Sequence, residues 1–195
     1  MPIIIPDTSH YEKIYIDPAK LMSPALINKT TEGSDFVDYT WLHRSRDIVQ
    51  HKKLIGGYLF ATGDSPADQV TLFLTTVRSA LGTVSMPQLK LAVDYEANPG
   101  NQCSLSQVEQ IVSAIMVATG KDPLLYMDYS MWLQSRNSII LMKCDLWLAE
   151  YGPVAKAPNK LWQYTDSAIV KGINVPCDAN IWHGSLKALT SWWGL

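Results

Sequence analysis

The chain has 195 residues, 47% of them apolar, with 16 basic residues against 18 acidic ones and a net charge of -2. That length buries a sizeable core in one domain, and the balanced charge excludes the basic footprint of a nucleic-acid binder or of a protein held on a membrane by charge. Cys103, Cys144 and Cys177 stand far apart with no C-x-x-C pair, which excludes a zinc knuckle and a dense disulfide framework, and an odd count fits synthesis in a reducing compartment.

The N-terminal stretch MPIIIPDTSHYEK has only three consecutive isoleucines, bounded by prolines, and no basic segment ahead of them, so it does not read as a secretory signal. No run approaches the ~18 to 20 apolar residues of a membrane span. PIIIPD reads as a buried strand and ALINKTTEG as a second strand ending in polar residues, after which Asp38 is placed to cap a helix running towards His51. KKLIGGYLFAT predicts a third strand whose glycine pair permits close packing. Ser65 and Pro66 then supply an N-cap and a first-turn proline, Val70, Phe73, Leu74 and Val77 follow at helical spacing, and Gly82 stops the helix. After the strand KLAVDYE, Ser104 and Gln107 have the spacing of a capping box, Val108, Ile111, Val112, Ile115 and Met116 form one helical face, and Gly120 ends it. PLLYMD, CDLWLAEYG and KLWQYTD read as further strands, with GPVAKAPNK, residues 152–160, as a loop. This alternation argues for a mostly parallel sheet with helical crossovers.

Polar side chains recur at the C-terminal ends of these strands: Asp7, Glu32, Tyr58, Asp94 with Glu96, Tyr126, Glu150 and Gln163. In a barrel of parallel strands those ends gather at one mouth, where active sites sit. An open doubly wound sheet also offers its carboxyl ends to ligands but usually brings a glycine-rich phosphate loop, and neither G-x-G-x-x-G nor G-x-x-x-x-G-K-[ST] occurs.

The strand LAVDYE ends in two carboxylates one residue apart. Alternation puts Asp94 and Glu96 on one face and Tyr95 on the other, with the two backbones roughly 6.6 Å apart, near the separations glycosidases use. Glycosidic cleavage needs a proton for the leaving oxygen and negative charge beside an oxocarbenium-like transition state. Neighbouring carboxylates also hold one proton between them, because ionising one disfavours ionising the other. Glu96, with the longer reach, is the candidate acid. A bare D-x-E is common by chance, and its other reading is a solvated strand end.

The wider sequence supports the chemical reading. PDTS, KTTEG (29–33), GGYLF (56–60), LAVDYE (91–96), TGKDPLLYMD (119–128), LWLAEYG (146–152), LWQYTDSAIVKGI (161–173) and CDANIWHG (177–184) follow one another along nearly the whole chain. In type and order they resemble the signature blocks of the glycoside hydrolase family 25 lysozymes, the Chalaropsis-type muramidases of phage endolysins and bacterial autolysins. The resemblance implies one irregular, flattened TIM-like β/α barrel spanning residues 1–195, with its active site at the C-terminal ends of the strands; family members often carry wall-binding repeats after that barrel, and since this sequence ends about where the barrel should, no separate wall-binding domain is expected. It implies hydrolysis of the β-1,4 bond between N-acetylmuramic acid and N-acetylglucosamine in peptidoglycan, without metal or other cofactor. The family's catalytic acid falls on Glu96 and its accompanying aspartates on Asp94, Asp7 and Asp178. In that scheme Glu96 is crowded by Asp94 and protonates the leaving oxygen, Asp94 or Asp178 stabilises positive charge on the sugar or on an oxazolinium, and Asp7 orients its neighbours; a covalent intermediate is equally compatible with these residues. Tyr58, Tyr126, Trp147, Trp162 and Tyr164 lie in blocks resembling the family's groove lining, where rings stack on sugar faces, although alternation can turn Trp147 and Trp162 into the barrel wall. The terminal SWWGL either flanks the groove or seals the barrel bottom.

Two departures stand out: Leu59 occupies the place of a histidine in the family's Y-H-F block, and Glu12 that of a glutamine. His10, His43, His51 and His183 are scattered without metal-ligand spacing. The expected partner is the peptidoglycan glycan strand, met by a monomer made in the cytoplasm and released through a holin-type pore or another dedicated route. The alternatives are a catalytically inactive peptidoglycan-binding or phage structural barrel, and a relative that cuts another amino-sugar polymer such as chitin.

Overall fold

A computed structural model describes residues 2–11, 14–82 and 89–194, so Glu12 lies outside the described residues. In chain order the strands are β1 (Ile3–Thr8), β2 (Ala25–Glu32), β3 (Phe36–Val37), β4 (Leu54–Phe60), β5 (Leu89–Asp94), β6 (Leu124–Asp128), β7 (Leu146–Ala149), β8 (Leu161–Ala168) and β9 (Cys177–Trp182). The helices are α1 (Trp41–Gln50), α2 (Pro66–Leu81), α3 (Leu105–Thr119), α4 (Tyr129–Ser135) and α5 (Leu186–Trp193). Hydrogen bonding runs β1-β9-β8-β7-β6-β5-β4-β2 and returns from β2 to β1, which closes a barrel and leaves β3 as a short antiparallel partner of β2.

The expected parallel pairing holds from β1 through β2 and β4 to β8. β9 instead runs antiparallel to both β8 and β1. Residues 169–176, which join β8 to β9, are too few for the crossover of a dozen or more residues that a parallel return requires. The strand pattern of the sequence did not mark β9, and its reversal puts the start of CDANIW, rather than its end, at the mouth.

Both long helices begin and end where capping chemistry dictates. Ser65 accepts from the Asp68 N–H with Pro66 in the first turn of α2, and Gly82 follows at a φ of 60°. Ser104 and Gln107 form a reciprocal capping box on α3, and Gly120 closes it in the left-handed region. Asp38 differs from expectation: Thr40 is the N-cap of α1, and Asp38 Oδ1 instead accepts from the Thr40 N–H and hydroxyl.

Strand alternation divides the apolar residues between two sides of the wall. Leu26, Ile55, Leu59, Val93 and Leu125 face outward and pack with Ile48, Phe73, Val77, Ile111 and Ile115 of α1 to α3; each such side chain contributes roughly 1.5–3 kcal/mol by leaving water. The glycine pair acts as its spacing suggested, since a Cβ on Gly57 would lie 2.8 Å from the Trp41 ring and 2.6 Å from Thr30 Oγ1. Ile5, Ile27, Ala92, Leu124, Trp147 and Leu161 fill the interior. At the lower end α5 closes the barrel: Trp193 Nε1 donates to the Ile55 carbonyl at 2.9 Å, and Trp192 stacks on Trp182 at 4.9 Å. Trp192 and Trp193 of SWWGL therefore seal the bottom and leave the opposite mouth open, and Leu195 lies outside the described residues.

Candidate active site

The inward-facing residues at the upper ends of the strands are mostly polar. Asp7 comes from β1, Lys29 from β2, Tyr58 from β4, Asp94 from β5, Tyr126 and Asp128 from β6, Gln163 from β8 and Asp178 from β9. Register brings them together: Asp7 pairs with Asp178, Lys29 with Tyr58, and Phe60, Asp94 and Tyr126 form a row across three strands. Glu96 follows β5 on the same side as Asp94, and Tyr95 turns to the helical side, where it is buried. The alternation read from LAVDYE is thus realised.

Asp94 is 7% exposed, and its Oδ1 is buried without a hydrogen-bond partner. Burial raises this carboxyl well above the usual carboxylate range; the charge of Glu96 adds to the rise, Lys29 opposes it, and Asp7 and Glu32 add further. Burial also raises the Glu96 carboxyl, with Lys29 opposing and Asp128 adding. The crowding expected between Asp94 and Glu96 is present and acts on both, since repulsion between two carboxylates is mutual, and Asp128 adds a further like charge beside Glu96. Both changes favour the protonated forms, so the pair retains protons in a pH range where a solvated carboxyl has lost its own.

Lys29 is the cation of this acidic mouth. It is 3% exposed, pairs with Glu32, and lies 4.6 Å from the Phe60 ring centroid and 5.1 Å from that of Tyr11. Asp7, 5% exposed, is gripped by two amides: Asn180 Nδ2 donates to its Oδ2 at 2.7 Å and Gln163 Nε2 at 3.2 Å. The amides are themselves fixed. Asn180 Oδ1 accepts from the Trp147 indole at 2.5 Å, and Gln163 Oε1 accepts from the hydroxyls of Tyr126 at 3.0 Å and Tyr151 at 3.3 Å. With their oxygens occupied by donors, both amides must turn NH2 groups towards Asp7.

Of the expected sugar-facing rings, Tyr58 and Tyr126 stand half-buried among the carboxylates. Trp147 does not reach the mouth: it is 1% exposed and forms the floor beneath both tyrosines, edge-on to Tyr126 at 4.8 Å and to Tyr58 at 6.2 Å. Trp162 is turned to the outer wall, where its Nε1 donates to the Glu150 carbonyl and its ring stacks on His183. Tyr164 lies beside it, edge-on to Trp162, and lines a side cavity with Ile4, Met22 and Ile169, away from the mouth. Alternation along β8 gives the inward position to Gln163, which excludes its neighbours.

Sequence reasoning passed over Lys29, Asp128 and Asn180 as site residues. Asn180 had a legible signal, since it stands two residues from Asp178 and shares its face once CDANIW is taken as a strand. Among the described residues no group of three or more His, Cys, Asp and Glu side chains could hold a metal ion, and no helix is long and apolar enough to cross a membrane.

An eight-stranded β/α barrel with buried, proton-retaining carboxylates at its mouth has the architecture of a glycoside hydrolase. The chain belongs to the glycosyl hydrolases family 25, whose model matches residues 7–173. It is 26% identical over 169 residues to the protein YegX of Escherichia coli, covering 83% of this chain; the chain spans about 60% of the length of that curated relative. Its fold is similar to the bacterial lysozyme from Streptomyces coelicolor, with a TM-score of 0.84 and 21% identity over 100% of this chain and 98% of that one. It is also similar to the catalytic domain of endolysin ply40 from a bacteriophage of Listeria monocytogenes, with a TM-score of 0.82 and 19% identity over the same shares of the two chains.

Proposed function

We propose that this protein is a lysozyme-type muramidase that hydrolyses the β-1,4 bond between N-acetylmuramic acid and N-acetylglucosamine in peptidoglycan. The observation that carries the reading is the pairing of Glu96 with Asp94 at the open mouth, where burial favours protonation of both. Glu96, the more exposed of the two, donates its proton to the leaving glycosidic oxygen and then draws a proton from the incoming water. With the proton of the pair on Glu96, Asp94 or Asp178 supplies negative charge to the cation developing on the sugar ring or on an oxazolinium formed by the substrate's own N-acetyl group. Asp7, fixed by Asn180 and Gln163, holds the geometry of that wall. Tyr58 and Tyr126 offer ring faces and phenols to the sugar. Family membership and the likeness to lysozyme and endolysin structures support the substrate class. We further propose that the protein is made in the cytoplasm, acts as a monomer and reaches the wall by a holin-type or other dedicated release.

The test is reducing-end release from purified peptidoglycan, with mass spectrometry of the fragments, for wild type and Glu96→Gln side by side. The amide cannot give up a proton, so the variant should fold and bind but lose about 10²- to 10⁴-fold in rate. Fragments ending in reducing N-acetylmuramic acid establish the bond cleaved. Full activity in a folded Glu96→Gln protein refutes the assignment, and a wild type inactive on several wall types points to a binding barrel.

A further inference from the structure

Beside the mouth, after β1 and along the β2–β3 hairpin, four aromatic rings cluster outside the acidic site. His10 is the hub, with ring centroids 4.1 Å from Tyr11, 4.9 Å from Phe36 and 5.7 Å from Tyr39. Tyr11 and Tyr39 are each 69% exposed. Two large rings left this open, each in contact with the His10 ring, are more than the scattered apolar exposure of an ordinary surface.

The cluster is also rigidly mounted. Asp38, fully buried, lies 2.9 Å from both the His10 backbone N–H and the ring Nδ1, and its other oxygen is held by Thr40. Arg44 reaches from α1 to donate to the Ser9 carbonyl on one side of the segment and to the Ile14 carbonyl on the other, each at 3.0 Å. Tyr39 is tied to the His10 carbonyl through its hydroxyl at 3.4 Å. Exposed rings fixed in this manner lose little freedom when a ligand arrives, which is the condition for useful stacking.

The patch is continuous with the catalytic mouth. Lys29, whose charge bears on both Asp94 and Glu96, has its ammonium against the Tyr11 ring. From these contacts we propose that Tyr11 and Tyr39 form a remote sugar-binding platform, which stacks on the pyranose faces of a glycan strand whose scissile bond lies at Glu96. The occupant is an amino-sugar chain long enough to reach from the carboxylates past Lys29 to the rim. This rests on the muramidase reading above and adds to it a length dependence: the enzyme discriminates long strands from short ones through residues that never touch the reacting atoms.

The experiment compares kcat/KM on long peptidoglycan strands with that on the shortest oligosaccharide the wild type cleaves, for wild type, Tyr11→Ala, Tyr39→Ala and the double variant. Sedimentation of each protein with insoluble peptidoglycan is measured in the Glu96→Gln background, and circular dichroism checks folding. The long-to-short ratio should fall about tenfold in the double variant, through KM, with a parallel loss of sedimentation. Tyr39→Phe, which keeps the ring and drops the hydroxyl, should retain most of the ratio. An unchanged ratio in folded variants of an active enzyme overturns the platform and leaves the muramidase reading standing. A wild type that cleaves no wall overturns that reading and the platform with it.

Discussion

Lys90 offers a quantitative test of the electrostatics in this barrel. Its side chain is half-buried near the lower end of β5, with the ammonium 4.2 Å from the Trp192 ring centroid. Burial pulls its pKa from 10.5 down to about 8, with Asp145 opposing and Lys121 and Lys160 adding to the fall. At about 1.4 kcal/mol per pH unit, the gap caps the cost of the buried charge at about 3 kcal/mol. Partial exposure screens this to about 1 to 2 kcal/mol. Lys90→Met removes the charge and keeps the unbranched stem, but forfeits about 0.5 kcal/mol of ammonium–indole attraction. The variant should therefore be more stable than wild type by about 1 kcal/mol at pH 7. The sign of the pH effect is fixed: the unfolded lysine keeps its proton to higher pH than the folded one, so wild-type stability rises as pH climbs from about 8 towards 10.5. Urea unfolding of both proteins at pH 7 and pH 10 reads this directly, and the advantage of the variant should shrink at the higher pH. A variant less stable at pH 7, or a difference that ignores pH, would refute the reasoning.

Two further outcomes follow from the mouth. Asn180→Leu leaves the Trp147 indole, the Ile5 carbonyl and Asp7 each short of a partner; stability should fall by about 2 to 4 kcal/mol in urea unfolding, with hydrolysis dropping at least tenfold. Asp128→Asn removes the like charge that helps raise the Glu96 carboxyl and keeps the oxygen that caps α4 at the Met131 N–H. Since activity fades as Glu96 gives up its proton, the alkaline limb of kcat/KM should move to lower pH, and an unmoved limb would mean that Asp128 does not act on the acid.

Much of the barrel was legible because parallel strands with helical crossovers repeat a strong local signal. Ser65–Pro66 and Ser104–Gln107 announced two helices through capping groups, and LAVDYE announced its carboxylates through alternation alone. β9 was hidden because its pairing depends on the shortness of the preceding loop rather than on its own residues. Trp147, Trp162 and Tyr164 show the complementary limit. A tryptophan that packs under two tyrosines and one that stacks on a sugar look alike in sequence, and only strand register decides which position is inward and how deep it lies. Lys29 and Asp128 carry no local signal of their role, since each acts on Glu96 from a different strand.

The reversed last strand has a kinetic consequence. Asn180 joins β9 to the Ile5 carbonyl of β1 across 175 positions of sequence, so the wall that holds Asp7 and Asp178 is made of the most non-local contacts in the barrel. Such contacts carry the largest loop-closure entropy and form late. A ribosome-bound chain that has not released β9 can assemble the helical side and even present Glu96, yet it lacks the strand that seats Asp7. The carboxylate cluster at the mouth is thus completed only when β9 joins the barrel, and not by gradual improvement.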